Sequence, residues 1–381
     1  MATAEIPRDF GFREEHELLR EQARRFLEER CPASELRRLA EDPVGHDPKL
    51  YREICELGWT GLVLPEEFGG AGMDSLALAL VLEEMGRVCL PSPFLGALFA
   101  GMAIEEGGSD AQCSELLPAI ASGDCLATYA LCEHGGAWLP EEIRAAAEPT
   151  EGGWRLSGEK VHVPTGTAAD LLVAPFVLPS GEPALFAVPL SDRGVHREAE
   201  IGVDPTRRCA RIALAGVTVP ESARLEQGGP DALRRATLRA TAALAAEMVG
   251  GAERALTMTR DYAIERKQFG RAIGSFQAIK HPLVDVLIGV ELSRTHALAA
   301  AAALDYDPDA AEVPVRMAKA LASEVFPEAV RRGVQFHGGY GFTLDCDMHF
   351  YFKRALWSRS LLGDATHHRR ALARELFGSE G

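Results

Sequence analysis

The period of the apolar pattern changes twice along this chain, and that double switch limits the folds open to it. From Glu14 to about Ile120, apolar residues recur at helical spacing, beginning with Leu18, Leu19, Ala23, Phe26 and Leu27. Between about Cys125 and Arg224 the pattern becomes short apolar runs separated by turn residues. Residues 171–178 and 183–190 flank Pro179-Ser-Gly-Glu182 and read as a β-hairpin. Further strands are predicted at 154–156, 160–164 and 210–219. From Asp231 the helical period returns, with long segments at 232–266, 278–304, 313–333 and 351–377, enough for a four-helix bundle. The expected class is a multidomain α+β fold: an N-terminal helical domain at 1–122, a middle β-barrel or sandwich domain at 123–228, and a C-terminal four-helix bundle at 229–381.

Composition narrows the function classes. With 381 residues, 47% apolar and 25% charged, the chain can bury a large core and has no signature of disorder. Forty Lys and Arg against 56 Asp and Glu leave a formal charge of −16, which repels nucleic acid and acidic membranes. An anionic ligand therefore needs a local basic pocket. No run is expected to reach the apolar length of a membrane span, and the first residues have neither the basic patch nor the apolar core of a signal peptide. A cytoplasmic location is expected. The eight cysteines are scattered without a C-x-x-C pair, so they read as reduced core residues rather than metal ligands. No G-x-G-x-x-G follows a predicted strand, which excludes a Rossmann dinucleotide site.

Two motifs carry chemistry. The first, residues 262–277, reads Tyr262-Ala-Ile-Glu-Arg-Lys-Gln-Phe-Gly-Arg-Ala-Ile-Gly-Ser-Phe-Gln277 and joins a helix to a short turn beside Arg266. A guanidinium fork matches phosphate oxygens two at a time and stays charged at any working pH. The second is Gln335-Phe-His-Gly-Gly-Tyr-Gly-Phe342. Together they resemble the Y-x-x-x-R-x-x-F-G and Q-x-x-G-G-x-G-F motifs of the acyl-CoA dehydrogenase family. The glycine-rich segment Gly58 to Gly72 is similar to another stretch of that family, although by itself it reads as a turn. The resemblance implies FAD as cofactor, held at its pyrophosphate end by Arg266, Phe269, Gln277, Gln335, Gly338 and Gly339, and an acyl-CoA as substrate. It also implies a homo- or hetero-oligomer, a dimer of dimers with each FAD at a subunit interface.

The same resemblance requires a glutamate to take the α-proton of the thioester while the β-hydride passes to the flavin. Counted from the Q-x-x-G-G motif, the family's usual base position is Leu362; its alternative position, counted back from Tyr262, is Ala240. Neither can accept a proton. Glu247 lies two helical turns beyond Ala240 on the same face, and Asp364 lies two residues past Leu362; both are weak replacement bases. Each also has a structural reading, Glu247 as a buried helix glutamate and Asp364 as the cap of a helix starting near Thr366.

The flavin-ring side departs from the pattern too. Where the family has Y-x-[LV]-T-E, this chain keeps Tyr129, Leu131 and Glu133 but substitutes Cys132 for the threonine, turning a hydroxyl donor into a weak thiol. His162 stands at the family's flavin-flanking tryptophan. Histidines 337, 367 and 368 and Tyr340 are left out of the site as hydrogen-bonded structure. The leading expectation is a subunit that lacks the catalytic glutamate in a heterotetrameric dehydrogenase, as in bacterial steroid side-chain breakdown. The alternatives are a self-sufficient homotetramer using Glu247 or Asp364, a flavin-dependent monooxygenase of the same fold, and a structural subunit that binds no flavin.

Overall fold

The structure is a computed structural model and describes residues 6–136 and 142–378. The chain forms two compact units that interleave in sequence. One comprises Met1–Arg38, Ser75–Leu90 and Thr241–Gly381; the other comprises Leu39–Asp74 and Pro91–Ala240. The chain enters its helices in the order α1 (Glu14–Arg30), α2 (Ala33–Glu41), α3 (Pro48–Glu56), α4 (Ser75–Arg87), α5 (Phe94–Gly107) and α6 (Asp110–Ser122).

The second unit contains the sheet. Its strands are β1 (Ala127–Tyr129), β2 (Ala146–Thr150), β3 (Gly153–Pro164), β4 (Leu171–Val177), β5 (Pro183–Pro189), β6 (Val195–Glu200) and β7 (Cys209–Pro220). They form one seven-stranded sheet in the path β1-β4-β2-β3-β7-β6, with β5 pairing β4. The hairpin expected about the Ser-Gly turn is β4–β5, in register from Leu171 opposite Pro189 to Val177 opposite Pro183. The two strands expected at 154–156 and 160–164 are a single strand, because register shifts at Leu156/Ser157 and Lys160/Val163 absorb the irregularity without breaking the β3–β7 ladder. Phe186 sits at the centre of the core, meeting Trp154 and Phe176 edge-on at ring-centroid distances of 5.8 and 5.6 Å.

The first unit is helical. After α1 and α4 it contains α7 (Pro230–Glu265) from Thr241 onward, α8 (Gln277–Tyr306), α9 (Glu312–His337), α10 (Met348–Ser360) and α11 (Ala365–Phe377). Glycines fix how these helices pack. A Cβ on Gly86 of α4 would fall on the carbonyl oxygen of Glu247, and one on Gly250 of α7 would fall on that of Glu83. A Cβ on Gly251 would strike the ring of Phe326 in α9. Adjacent glycines in α7 thus admit α4 on one side and α9 on the next. Charges seal the seam: Glu83 accepts from Arg294 at 2.8 Å, Glu84 takes Arg24 through two bonds at 3.0 and 2.7 Å, and Glu253 faces both Arg87 and Arg294.

Two expectations change. The last helical segment, 351–377, is two helices, because Leu362 (φ 58°) and Gly363 (φ 94°) adopt left-handed backbone that no α-helix can contain. In addition, α8 is long and apolar enough, by length and composition, to cross a membrane, although no such segment was expected; less than half of its most apolar stretch is buried in the fold. Its buried residues include the alanine run Ala300–Ala303, while Val284, Leu287, Ile288 and Leu292 form an exposed apolar stripe.

The α4–α7 crossing predicts that Gly250→Ala destabilises the protein by about 2–3 kcal/mol or more, as overpacking does. Gly339→Ala, at a glycine with open space around it, should stay within about 0.5 kcal/mol. Thermal denaturation of the two variants checks the contrast.

Candidate functional site

The two motifs meet at one end of the helical unit. Arg266 follows the last residue of α7, its N–H donating to Tyr262 O (2.8 Å) and its carbonyl accepting from Ile273 N (2.8 Å). These bonds close a small hairpin, β8 (Lys267–Gln268) with β9 (Arg271–Ala272). Its two turn residues, Phe269 (φ 52°) and Gly270 (φ 77°), are both left-handed, as a two-residue turn that matches strand twist requires. Glycine accepts this freely; Phe269 does not, and its ring is 91% exposed at the tip. The ring stands edge-on to Phe276, over which Arg271 lies at 4.0 Å. Gln277 opens α8 and is exposed.

The second motif is the end of α9. Gly338 closes the helix with φ 62° and ψ −140°, a conformation open only to glycine, and its N–H donates to the carbonyl of Gln335. Gln335, Gly338 and Gly339 are exposed, with nothing near either glycine where a Cβ would stand. Aromatic stacking joins this loop to α7: Tyr262 lies on His337 at 4.4 Å and 24°, and is nearly parallel to Tyr340 at 6.1 Å. His337 is part of that support, bonded through Nδ1 to Gly333 O (2.7 Å) and held below the usual histidine range by burial.

Among the described residues, no ion pair engages the Arg266 guanidinium. An uncommitted guanidinium, two glutamine side chains and open glycine backbone form a donor set suited to an anion such as a diphosphate. All six residues expected at the pyrophosphate end therefore lie on this hairpin, the start of α8 and the end of α9. The surrounding surface is apolar and exposed at Ile264, Phe269, Phe342 and Leu344.

The base positions look different. Ala240 is buried in α7. Glu247 is buried as well, and its carboxylate takes a bond from Arg354 Nη1 at 3.1 Å. Arg354 Nη2 donates to the carbonyls of Cys89 and Leu90, both at 3.3 Å, so Glu247 belongs to a charge cluster that closes the end of α4. Asp364 caps α11, its carboxylate accepting from His367 N at 2.8 Å. Each carboxylate thus has a structural partner inside its own unit. Leu362 is buried in the left-handed turn between α10 and α11.

Sequence reasoning missed the group that holds this turn. Lys319 of α9 is fully buried, and its Nζ donates to Ser323 Oγ (3.0 Å), Arg359 O (3.2 Å) and Gly363 O (2.8 Å). Burial pushes its amine down to about 7, opposed mainly by the charge of Asp364. The only available signal was a lysine set among the buried alanines Ala318, Ala320 and Ala322.

In the sheet unit, the ring-side residues are engaged internally. Tyr129 is buried with its hydroxyl 3.3 Å from Thr237 Oγ1, and Leu131 and Cys132 are buried beside it. The Cys132 thiol, pushed up to about 11 by burial, points to the carbonyl of Glu133 at 3.5 Å. Glu133 itself binds Lys160 Nζ at 2.6 Å and the N–H groups of Arg144 and Ala145. His162, in left-handed backbone at a bulge of β3, is exposed and tied through Nδ1 to Glu200 at 2.9 Å.

Comparison with known proteins agrees with the motifs. The model of the acyl-CoA dehydrogenase N-terminal domain matches residues 13–124, and that of the acyl-CoA dehydrogenase C-terminal domain matches residues 228–377. The chain belongs to the acyl-CoA dehydrogenase family. It is 33% identical over 370 residues to acyl-CoA dehydrogenase IpdE2 of Mycobacterium tuberculosis, which covers 96% of this chain and 98% of that protein. Among solved structures, a chain of the ChsE4-ChsE5 complex from Mycobacterium tuberculosis matches with a TM-score of 0.90 at 30% identity, covering 98% of this chain and 100% of its own. A variant of the Tcur3481-Tcur3483 steroid ACAD matches at 0.86 and 34%, covering 94% and 97%.

The turn to which the motif count assigns the family's base thus carries leucine, with a buried lysine behind it. That lysine has a pH signature. Its folded pKa lies below its unfolded value near 10.4, so between about pH 7 and 10 the unfolded chain binds more protons and stability rises with pH. The melting temperature of the wild type minus that of Lys319→Met should therefore increase over that window; a flat difference would contradict the assignment.

Proposed function

We propose that this chain works in the FAD-dependent α,β-desaturation of an acyl-CoA thioester as the subunit that lacks the base, closing the flavin site of a partner chain. The observation that carries this reading is the contrast between the two ends of the site. The pyrophosphate end is complete and open at Arg266, Phe269, Gln277, Gln335, Gly338 and Gly339, while Leu362 and Ala240 occupy both base positions. Glu247 and Asp364, the nearby carboxylates, are committed to Arg354 and to the α11 cap.

Bound FAD supplies the acceptor for the β-hydride. This chain's part is to grip its pyrophosphate with Arg266 and to order the adjoining surface through the Tyr262–His337 stack. The α-proton then goes to a carboxylate of the partner. The exposed apolar groups around the hairpin and along α8 support an oligomer, since contiguous apolar surface marks an interface. The likeness to a steroid ACAD and to the ChsE4-ChsE5 complex favours a bulky, ring-bearing acyl group and a heteromeric assembly.

In the assembled complex, Arg266→Ala should weaken FAD retention by about 10- to 100-fold, the worth of a charge-assisted bond. Glu247→Gln and Asp364→Asn, compared per folded complex, should leave turnover within about threefold. A loss of about 100-fold or more in either amide variant would move the base into this chain and overturn the proposal.

A further inference from the structure

We infer that Lys319 is a positioning residue whose side-chain amine fixes the Leu361–Asp364 turn, holding Leu362 in a backbone conformation that leucine does not choose alone. The inference rests on the reading above in one respect: that this turn borders the acyl site.

Three observations carry it. Lys319 is 0% exposed, and among the described residues no carboxylate lies within hydrogen-bond reach of its Nζ. A buried amine is costly unless it is hydrogen-bonded, and an apolar side chain of the same length would fill the space. What lysine adds there is N–H donors, two on the neutral amine and three when it is protonated. Secondly, two of its acceptors bracket the turn: Arg359 O belongs to the last turn of α10, and Gly363 O to the turn itself. One amine therefore holds the backbone on both sides of Leu361 and Leu362. Ser323, one helical turn along α9, bonds the same nitrogen at 3.0 Å and aims it.

Thirdly, the turn needs holding. Leu362 has φ 58°, in the left-handed region where a Cβ crowds its own backbone. Gly363 has φ 94° and packs against the ring of His367, so it cannot be replaced by a residue that would relax its neighbour. Cap bonds from Asp364 fix the far end, His367 N at 2.8 Å to its carboxylate and His368 N at 3.0 Å to its carbonyl. The near end has the bond from Leu361 N to Trp357 O at 3.2 Å, the bond from Gly363 N to Ser360 O at 3.3 Å, and the Lys319 bond to Arg359 O, the one of the three that comes from another helix.

The test is amide hydrogen exchange on the full chain, with any subunit that co-purifies, in the wild type, Lys319→Met, Leu362→Gly and the double variant. Lys319→Met should speed exchange in the peptide spanning Leu361–Asp364 by about tenfold or more, with α8 unchanged. Glycine adopts left-handed backbone without strain, so the effect of Lys319→Met should shrink by about threefold or more in the Leu362→Gly background. Unchanged exchange in the turn would overturn the inference. So would a general loosening of α9 to α11 that is equal in both backgrounds, which is what a purely packing role predicts. No substrate enters the measurement, so failure of this clamp and failure of the desaturation reading are seen separately.

Discussion

The close approach of α7 to α4 is the constraint on which the helical unit depends. Gly86, Gly250 and Gly251 leave room for backbone and ring where any Cβ would collide, and three glycines in helices cost about 1 kcal/mol each in propensity. The return is placement. A helix of 36 residues, locked near its middle, carries the alternative base position at Ala240 toward one end and presents Arg266 just beyond the other. Charges that are expensive to bury then make the seam specific, because Glu83, Glu84 and Glu253 are satisfied only when Arg24, Arg87 and Arg294 arrive together.

Buried charge also explains what the site does without. Glu247 stands on the face of α7 where a relocated base could sit, but Arg354 holds it while tying off the carbonyls of Cys89 and Leu90. Asp364 is spent on a helix cap. Behind the turn that carries Leu362 the ionisable group is a lysine of α9, and two of its bonds go to backbone carbonyls. Glu247, Asp364 and Lys319 thus all have structural partners, whereas the pyrophosphate end keeps a guanidinium exposed and free of ion pairs among the described residues.

Much of this was legible in the sequence because it rests on local periodicity and local turns. The β4–β5 hairpin follows from a Ser-Gly turn between apolar runs, and α7 ends at Glu265, one residue from the expected 266, whereas α9 runs to His337, past the expected 333. The break at Leu362 was not legible, since leucine is a good helix former and its left-handed state is imposed by Lys319 from 43 positions away, outside any local window. The single strand β3 was hidden for a related reason: its bulges interrupt the alternation while the β7 ladder continues. Glu247 could be placed on a helix face from spacing alone, but its partner Arg354 lies 107 residues on, and only the fold brings the two together.

The claim that this chain completes a flavin site it cannot run alone is tested most directly by visible absorption. The chain would be purified by itself and again after co-expression with a base-bearing acyl-CoA dehydrogenase subunit. The account predicts no flavin band from the chain alone and a flavin band from the co-purified pair, bleached on addition of an acyl-CoA. Stoichiometric flavin in the chain alone, bleached by the same acyl-CoA, would contradict it.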